Sequence, residues 1–305
     1  MAKKYKKKSS IKVSTSRKVF LVCNNIFLGL FALICLLPFF NLLAMSLSTD
    51  AAVVGGNVSF IPVGFNLGAY EMLLKREAFW NAFGYSILRV VLGTVISLVI
   101  NVLAAYPLSR PKKTLKGRIF YVIIFVITMF FNGGLVPNFM LITELNIDNT
   151  IWALVLPIAL NAWNIVLLIS FFREVPNELV EAAEMDGASQ FQILTKVILP
   201  ISLPALATVT LFTVVAHWNN WFDGYLYMQP DKYPLQTYIY NFINSVNTEA
   251  GNAAAGSNPG GADIPDNPKT LQSAQVFIAM LPIMCVYPFA QKYFIKGLTQ
   301  GGVKE

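Results

Sequence analysis

Six apolar runs dominate the chain, at residues 19–46, 82–106, 119–141, 151–172, 203–221 and 274–294. Inside hydrocarbon a backbone amide has no water to bond with, so such runs must satisfy their N–H and C=O groups within helices. Each run is close to the roughly 20 residues an α-helix needs to cross about 30 Å of hydrocarbon. The predicted fold is an all-α membrane protein of six transmembrane helices with both ends on one side. Composition agrees: 55% of the 305 residues are hydrophobic and 13% charged, with a mean hydropathy of +0.57, too apolar for a soluble chain of this length.

The formal net charge of +7 raises nucleic acid as a partner, and the placement of the charges argues against it. With the N-terminus cytoplasmic, 18 of the 23 Lys and Arg residues fall on cytoplasmic segments, including Arg110, Lys112, Lys113, Lys116 and Arg118 between the second and third runs. The basic surplus is therefore a topology signal that puts both termini in the cytoplasm. The basic tail, residues 1–18, is expected to lie loosely on anionic lipid headgroups. One cytoplasmic loop departs from the pattern: residues 173–200 carry Glu174, Glu178, Glu181, Glu184 and Asp186 against Arg173 and Lys196. Two readings fit an acidic patch on a basic face, a docking site for a basic partner or a solvated surface.

The cysteines, Cys23, Cys35 and Cys285, all lie in spans, which predicts buried apolar thiols and neither a disulfide framework nor a metal site. The first apolar run is too long for the h-region of a signal peptide and reads as an uncleaved span. No phosphate-binding loop, metal-ligand spacing or nucleophile elbow occurs, so no chemistry and no bound cofactor are expected of this chain.

The acidic loop has its own local grammar. Asn177 is placed to cap a short helix with Glu178 and Glu181 in its first turn, where carboxylates meet the positive end of the helix dipole. Gly187 should stop that helix, because glycine enters the left-handed region without steric cost. Ser189 and Gln192 have capping-box spacing, so a second helix is expected at once, with Phe191, Leu194 and Ile198 on one face and Pro200 and Pro204 ending it. Such a hairpin suits docking into another protein, or serves as an amphipathic link between two spans.

Glu181, Ala182, Ala183, Gly187, Leu199 and Pro200 together resemble the EAA signature of the membrane subunits of binding-protein-dependent ABC importers. That signature reads EAA, three residues, Gly, nine residues, an aliphatic residue, one residue, Leu-Pro; its usual Ile is Val197 here. The stretches AAYPLSR (104–110), NTIWALVLP (149–157) and KGLTQGGVK (296–304) are similar to the carbohydrate-uptake branch of maltose-permease type. The resemblance implies the type I importer permease fold in a bacterial cytoplasmic membrane. It divides the chain into a tail (1–18), a six-span domain (19–294) with a coupling loop (173–200) and an outer loop (222–273), and a second tail (295–305). It implies a homologous permease as heterodimer partner, a cytoplasmic ABC ATPase dimer that uses ATP and Mg, and an extracytoplasmic sugar-binding protein. Glu181, Ala182, Ala183, Asp186, Gly187, Leu199 and Pro200 are then the residues that couple to the ATPase.

Polar residues within the spans are the remaining signal. Asn161, Asn164, Thr213, His217, Trp218 and Asn219 pair amides and hydroxyls with an indole, as a sugar's hydroxyls and C–H face require, and are candidates to line a pathway. Each also fits interhelical hydrogen bonding, and Trp218 and Trp221 fit interface anchoring. Arg89 is read as a pathway charge or a snorkelling side chain. The third run is broken at Asn132, Gly133, Gly134 and Pro137. The outer loop is read as ordered around its tyrosines and flexible from Asn252 to Gly261. An ion-driven secondary carrier is disfavoured because no Asp or Glu lies within a run; a membrane scaffold or a permease for another solute stays open.

Overall fold

A computed structural model describes residues 14–111, 115, 117–131, 133–254 and 268–301, with side chains described except at 247, 249–254 and 289–301. Asn132, most of the basic tail and residues 302–305 lie outside the described residues, as do 255–261 of the stretch read as flexible. Among the described residues every regular element is helical. The order is α1 (Thr15–Ser46), α2 (Asp50–Val54), α3 (Gly68–Lys75), α4 (Glu77–Ser109), α5 (Arg118–Phe130) and α6 (Leu135–Glu144), then α7 (Ile151–Ala159), α8 (Ala162–Glu174), α9 (Asn177–Met185) and α10 (Gln190–Ile193). A π-turn (Leu194–Ile198), α11 (Leu199–Ile201), α12 (Leu203–Asn219), α13 (Phe222–Tyr227), a 3-10 turn (Pro230–Lys232), α14 (Leu235–Ala254) and α15 (Pro268–Gly301) complete it.

Among the described residues, three helices are long and apolar enough to cross a membrane, α1, α4 and the first part of α15, and counting each of three bent pairs as one span raises the number to as many as six. The expected third span is two helices, α5 and α6, because Gly134 takes φ +88° and interrupts the ladder. The expected fourth span is bent by 47° between α7 and α8. The outer segment is more regular than read: α14 runs to Ala254, and Leu235, Ile239, Phe242 and Val246 recur at helical spacing on its buried face. The three cysteines are exposed rather than buried, because they lie on apolar helix faces that no other described element covers.

α4 is the axis of the bundle. Its Val102, Ala105, Tyr106 and Leu108 share one core with α8 and the α9–α11 segment, while Phe79 near its start shares another with α3, α12, α14 and α15. Between them sit small or polar residues, among them Gly93, Ser97 and Asn101. Lipid-facing apolar surface gives helices no hydrophobic reason to associate, so close packing and hydrogen bonds at such positions hold a membrane bundle together. Gly93 lets the ring of His217 lie against α4; a methyl group there would collide with the imidazole.

Asn101 resolves the bend in the fourth span. It is fully buried, and its amide nitrogen donates to the carbonyl of Ala159 at 2.9 Å and of Ser97 at 2.6 Å. Its Oδ1 accepts from the backbone N–H of Asn161 at 3.0 Å. A carbonyl and an amide freed by the bend are thus satisfied by a neighbouring helix, the condition for broken helix at membrane depth.

Arg89 does not snorkel. Its side chain is fully buried, and Nη1 donates to Asp223 Oδ1 at 3.0 Å and to the carbonyl of Asn220 at 2.9 Å, while Nη2 donates to Asp223 Oδ2. Asp223 also accepts from Asn220 Nδ2 at 2.9 Å and from the Gly224 N–H at 2.7 Å. This bidentate pair welds α4 to α13. Removing one partner strands the other charge, so Arg89→Leu is expected to lower stability by about 3 kcal/mol, and Arg89→Leu with Asp223→Leu to lose less than the two singles added. Thermal unfolding of the four proteins in detergent checks this; strictly additive losses would sink the weld.

Candidate functional site

The α9–α11 segment is an elbow whose geometry follows from its sequence. α9 begins at Asn177 itself with Pro176 in the capping position, so Asn177 is helical and caps nothing. Proline's fixed φ and lack of an N–H suit a helix boundary and displace the expected cap by one residue. At the far end the N–H of Ala188 bonds the carbonyl of Ala183 and that of Gly187 the carbonyl of Glu184, both at 3.0 Å. With Gly187 at φ +77°, this is a complete Schellman closure. Ser189 then opens α10 with both arms of a capping box, Gln192 N–H to Ser189 Oγ at 3.3 Å and Ser189 N–H to Gln192 Oε1 at 2.8 Å.

Pro200 does not end the second helix. It has no N–H to give Lys196, and the preceding turn widens instead: the Leu199 N–H reaches back to Leu194, five residues away, and the chain stays helical to Ile201. The widened turn also rotates the apolar face. Ile193, Leu194 and Ile198 are buried, Val197 and Leu199 are half-buried, and Phe191 points outward at 67% exposure.

The elbow is seated firmly and presents a free tip. Val180, Ile193, Leu194 and Ile198 enter the core formed with α4 and α8. Tyr106 of α4 donates to Gln190 Oε1 at 2.8 Å, Gln190 Nε2 donates to Glu184 Oε1 at 3.1 Å, and the Arg110 guanidinium lies 4.6 Å from the centre of the Tyr106 ring. Glu178, Glu181, Ala182, Asp186 and Gly187 are exposed, Ala183 is half-buried and Pro200 is exposed. Met185 is 87% exposed beside these acids. An exposed large apolar side chain ringed by like charges, on a rigid support, is a surface shaped for a basic, partly apolar partner.

The second polar cluster lies along α8 and α12. A cavity of about 680 Å³ is lined by Asn161, Asn164, Thr213, His217 and Asn219, together with Trp163. Asn161 has two jobs there, since its side chain caps α8 by accepting from the Asn164 N–H at 3.1 Å. Asn164 Nδ2 donates to Thr213 Oγ1 at 3.4 Å, and Thr213 in turn donates to the carbonyl of Val209 at 2.8 Å. Trp218 is not part of this wall. It is 3% exposed, its indole N–H donates to the carbonyl of Ala279 at 3.0 Å, and Phe83 meets it edge-on at 6.1 Å. Its helical position turns it toward α15, one residue around from His217. Asn220, missed by residue type alone, lines this cavity and a neighbouring one that Asp223 also lines.

Comparison with known proteins places this geometry. The model of the family described as binding-protein-dependent transport system inner membrane component matches residues 98–300. The chain is 36% identical over 279 residues to the polygalacturonan/rhamnogalacturonan transport system permease protein YtcP of Bacillus subtilis (strain 168), over 91% of this chain and 96% of that one. It is 35% identical over 288 residues to Protein LplC of the same organism, over 94% of this chain and 95% of that one. Among solved structures it is similar to a chain of a bacterial ABC transporter involved in the import of the acidic polysaccharide alginate, with a TM-score of 0.81, 34% identity, and 93% of this chain and 100% of that chain covered. An elbow seated on a helical bundle and a family match that spans it carry one conclusion: the chain belongs to the family of inner membrane components of binding-protein-dependent transport systems.

Proposed function

We propose that this chain is one of two permease subunits of an ATP-driven importer that takes up an oligosaccharide delivered by an extracytoplasmic binding protein. The observation that carries the coupling role is the seating of the elbow: its inner face belongs to the core of α4 and α8 while Glu181, Ala182, Asp186 and Met185 stay exposed. Force applied at the tip therefore reaches the spans through packed side chains and the Tyr106–Gln190 hydrogen bond. The sugar assignment is supported by relatives whose names specify polygalacturonan and rhamnogalacturonan transport and alginate import.

In this reading the termini and the elbow are cytoplasmic, and a partner ATPase pair binds ATP and Mg and performs the hydrolysis. Closure of the pair drags both elbows, and the two permeases, this one and a homologous partner, rock between outward and inward openings. Glu181 pairs with a basic group of the ATPase, the Ala182–Ala183 side admits its backbone closely, and Gly187 keeps the elbow stiff. Leu199 and Pro200 set the angle at which the elbow enters α12, 84° from its axis. The cavity along α8 and α12 forms part of the pathway wall.

In the complex reconstituted with ATPase, partner permease and binding protein, Glu181→Lys is expected to abolish binding-protein-stimulated ATP hydrolysis while the subunits still co-elute. Stimulation equal to wild type would remove Glu181 from the coupling role. The elbow's stiffness is tested separately. Gly187→Val places a β-branched residue at φ +77° and costs about 1–2 kcal/mol of local strain, so stimulation should fall. Gly187→Asn, which tolerates the left-handed region, should keep most of it. Equal activity of the two variants would show that the closure at Gly187 does not transmit.

A further inference from the structure

Residues 51–70 carry no charged side chain, although they lie outside the six apolar runs, between α1 and α3. Their end of the bundle is the one away from the elbow: Leu73 of α3 shares a core with Phe79 near the start of α4, whereas the elbow packs on Tyr106 and Leu108 near its end. The loop over 55–67 turns large apolar groups outward. Phe60 is 53% exposed, Ile61 77% and Phe65 69%, and Val63 is exposed as well. Exposed apolar groups gathered in one segment mark contact with a membrane or with another protein.

The loop is held at two levels. At its base the Thr49 N–H bonds the Val63 carbonyl at 3.1 Å, the Asn66 N–H bonds the Leu47 carbonyl at 2.9 Å, and the Val63 N–H bonds Ser48 Oγ at 3.0 Å. Gly64 takes φ +64°, and a methyl group there would meet the Thr49 side chain at 2.9 Å, so the returning arm is packed against the end of α1. The second level lies deeper. Asn41 Nδ2 donates to the carbonyl of Ser59 at 2.6 Å. Asn41 precedes Ser46, the last residue of α1, by five positions, or roughly 7–8 Å of helix axis. Counting about 20 helical residues from Val19, the first after Lys18, puts the far edge of the hydrocarbon near Pro38, and any later start carries that edge toward or past Asn41. The chain therefore leaves α1 and comes back down, bringing Ser59, Phe60 and Ile61 to the level where hydrocarbon meets headgroups.

We propose that residues 58–65 are an interfacial wedge whose partner is the lipid surface: Phe60, Ile61 and Phe65 are seated in the headgroup–acyl boundary of the leaflet opposite the elbow, at the depth that Asn41 sets. Three observations converge on lipid. The tie to Asn41 fixes the level, and apolar groups at an interface bury about 5–10 Å into that boundary. The stretch has no charged residue, where a surface facing water, or the rim of a contact with a soluble protein, would carry them. The apolar surface is also continuous along the chain with that of α1, whose most apolar window has no buried residue and whose Phe40, next to Asn41, is half exposed. The buried residues of α1 are Ala44 and Ser46, both at the looped end, so the wedge gives that end of the helix a second hold on the bilayer. The inference is independent of which solute is carried.

Spin labels on the full complex in phosphatidylcholine vesicles decide this. Cys23, Cys35 and Cys285 are all exposed and are replaced by Ala. Single labels are then placed through Phe60→Cys or Ile61→Cys, with Ile34→Cys in the middle of α1 as the lipid reference and Glu71→Cys, exposed on α3, as the water reference. Collisions with oxygen, which concentrates among acyl chains, are compared with collisions with a neutral nickel chelate, which stays in water. The oxygen-to-nickel ratio at positions 60 and 61 is expected to stand severalfold above that at 71 and below that at 34. A ratio equal to that at 71 would place the loop in water and overturn the wedge. An immobilised label shielded from both reagents would mean that another protein chain covers the segment, and would overturn lipid as the partner. If the cysteine-free chain does not assemble, Ile61→Trp in the otherwise wild-type complex replaces the labels. Lipids brominated high on the acyl chain should quench the fluorescence it adds, and added fluorescence that they leave unquenched would overturn the wedge.

Discussion

No water reaches a backbone amide inside hydrocarbon, and most of the departures from straight helix in this chain follow from how that constraint is met. The fourth span bends, and the groups it frees are taken by Asn101 of α4. At the membrane edge the second helix of the elbow passes through a proline, and the turn before it widens instead of breaking, with the Leu199 N–H on the Leu194 carbonyl. α12 ends at Asn219, and the carbonyl of Asn220 beyond it is bonded by Arg89. Two of these three solutions use side chains of α4, which is why one helix connects the elbow at one end to α13 at the other.

That arrangement makes α4 a lever. Its Tyr106 touches the elbow, its Asn101 holds the bend between α7 and α8, its Gly93 receives His217, and its Arg89 grips Asp223. A helix of 33 residues is about 50 Å long, and hydrogen-bonded helix is stiff over that distance. In the coupling role proposed above, displacement at the elbow reaches the α8–α12 cavity as movement of the same body that shapes its walls. Coupling over such a length rests on packed side chains and fixed helices and requires no special chain of messengers.

Much of this was legible before any coordinates. Apolar runs report spans because hydrocarbon thickness sets a length, and Gly187 and the Ser189–Gln192 pair report the elbow because caps and left-handed turns are local chemistry. What the sequence hid was always a partner. Asn101 sits inside an apolar run with nothing nearby to say that a bend 58 residues away needs it. Arg89 finds its carboxylate at Asp223, just past the fifth apolar run, so a search for acids within runs overlooked it. Trp218 and His217 are adjacent in sequence, and only the angle between successive residues on a helix sends one toward α15 and the other against Gly93 of α4. The displaced cap at Pro176 and the outward Phe191 fail for a smaller reason, a shift of one residue in frame at a proline.

Partner count then separates polar residues that composition cannot. Arg89, Asn101 and Trp218 are each placed by bonds to groups the fold would otherwise leave bare, so they belong to architecture. Asn164 and Thr213 bond each other with the amide and hydroxyl still bordering open space. His217 is buried at the same depth, with its ring seated in the slot that Gly93 leaves in α4, so close packing places it where hydrogen bonds place the others.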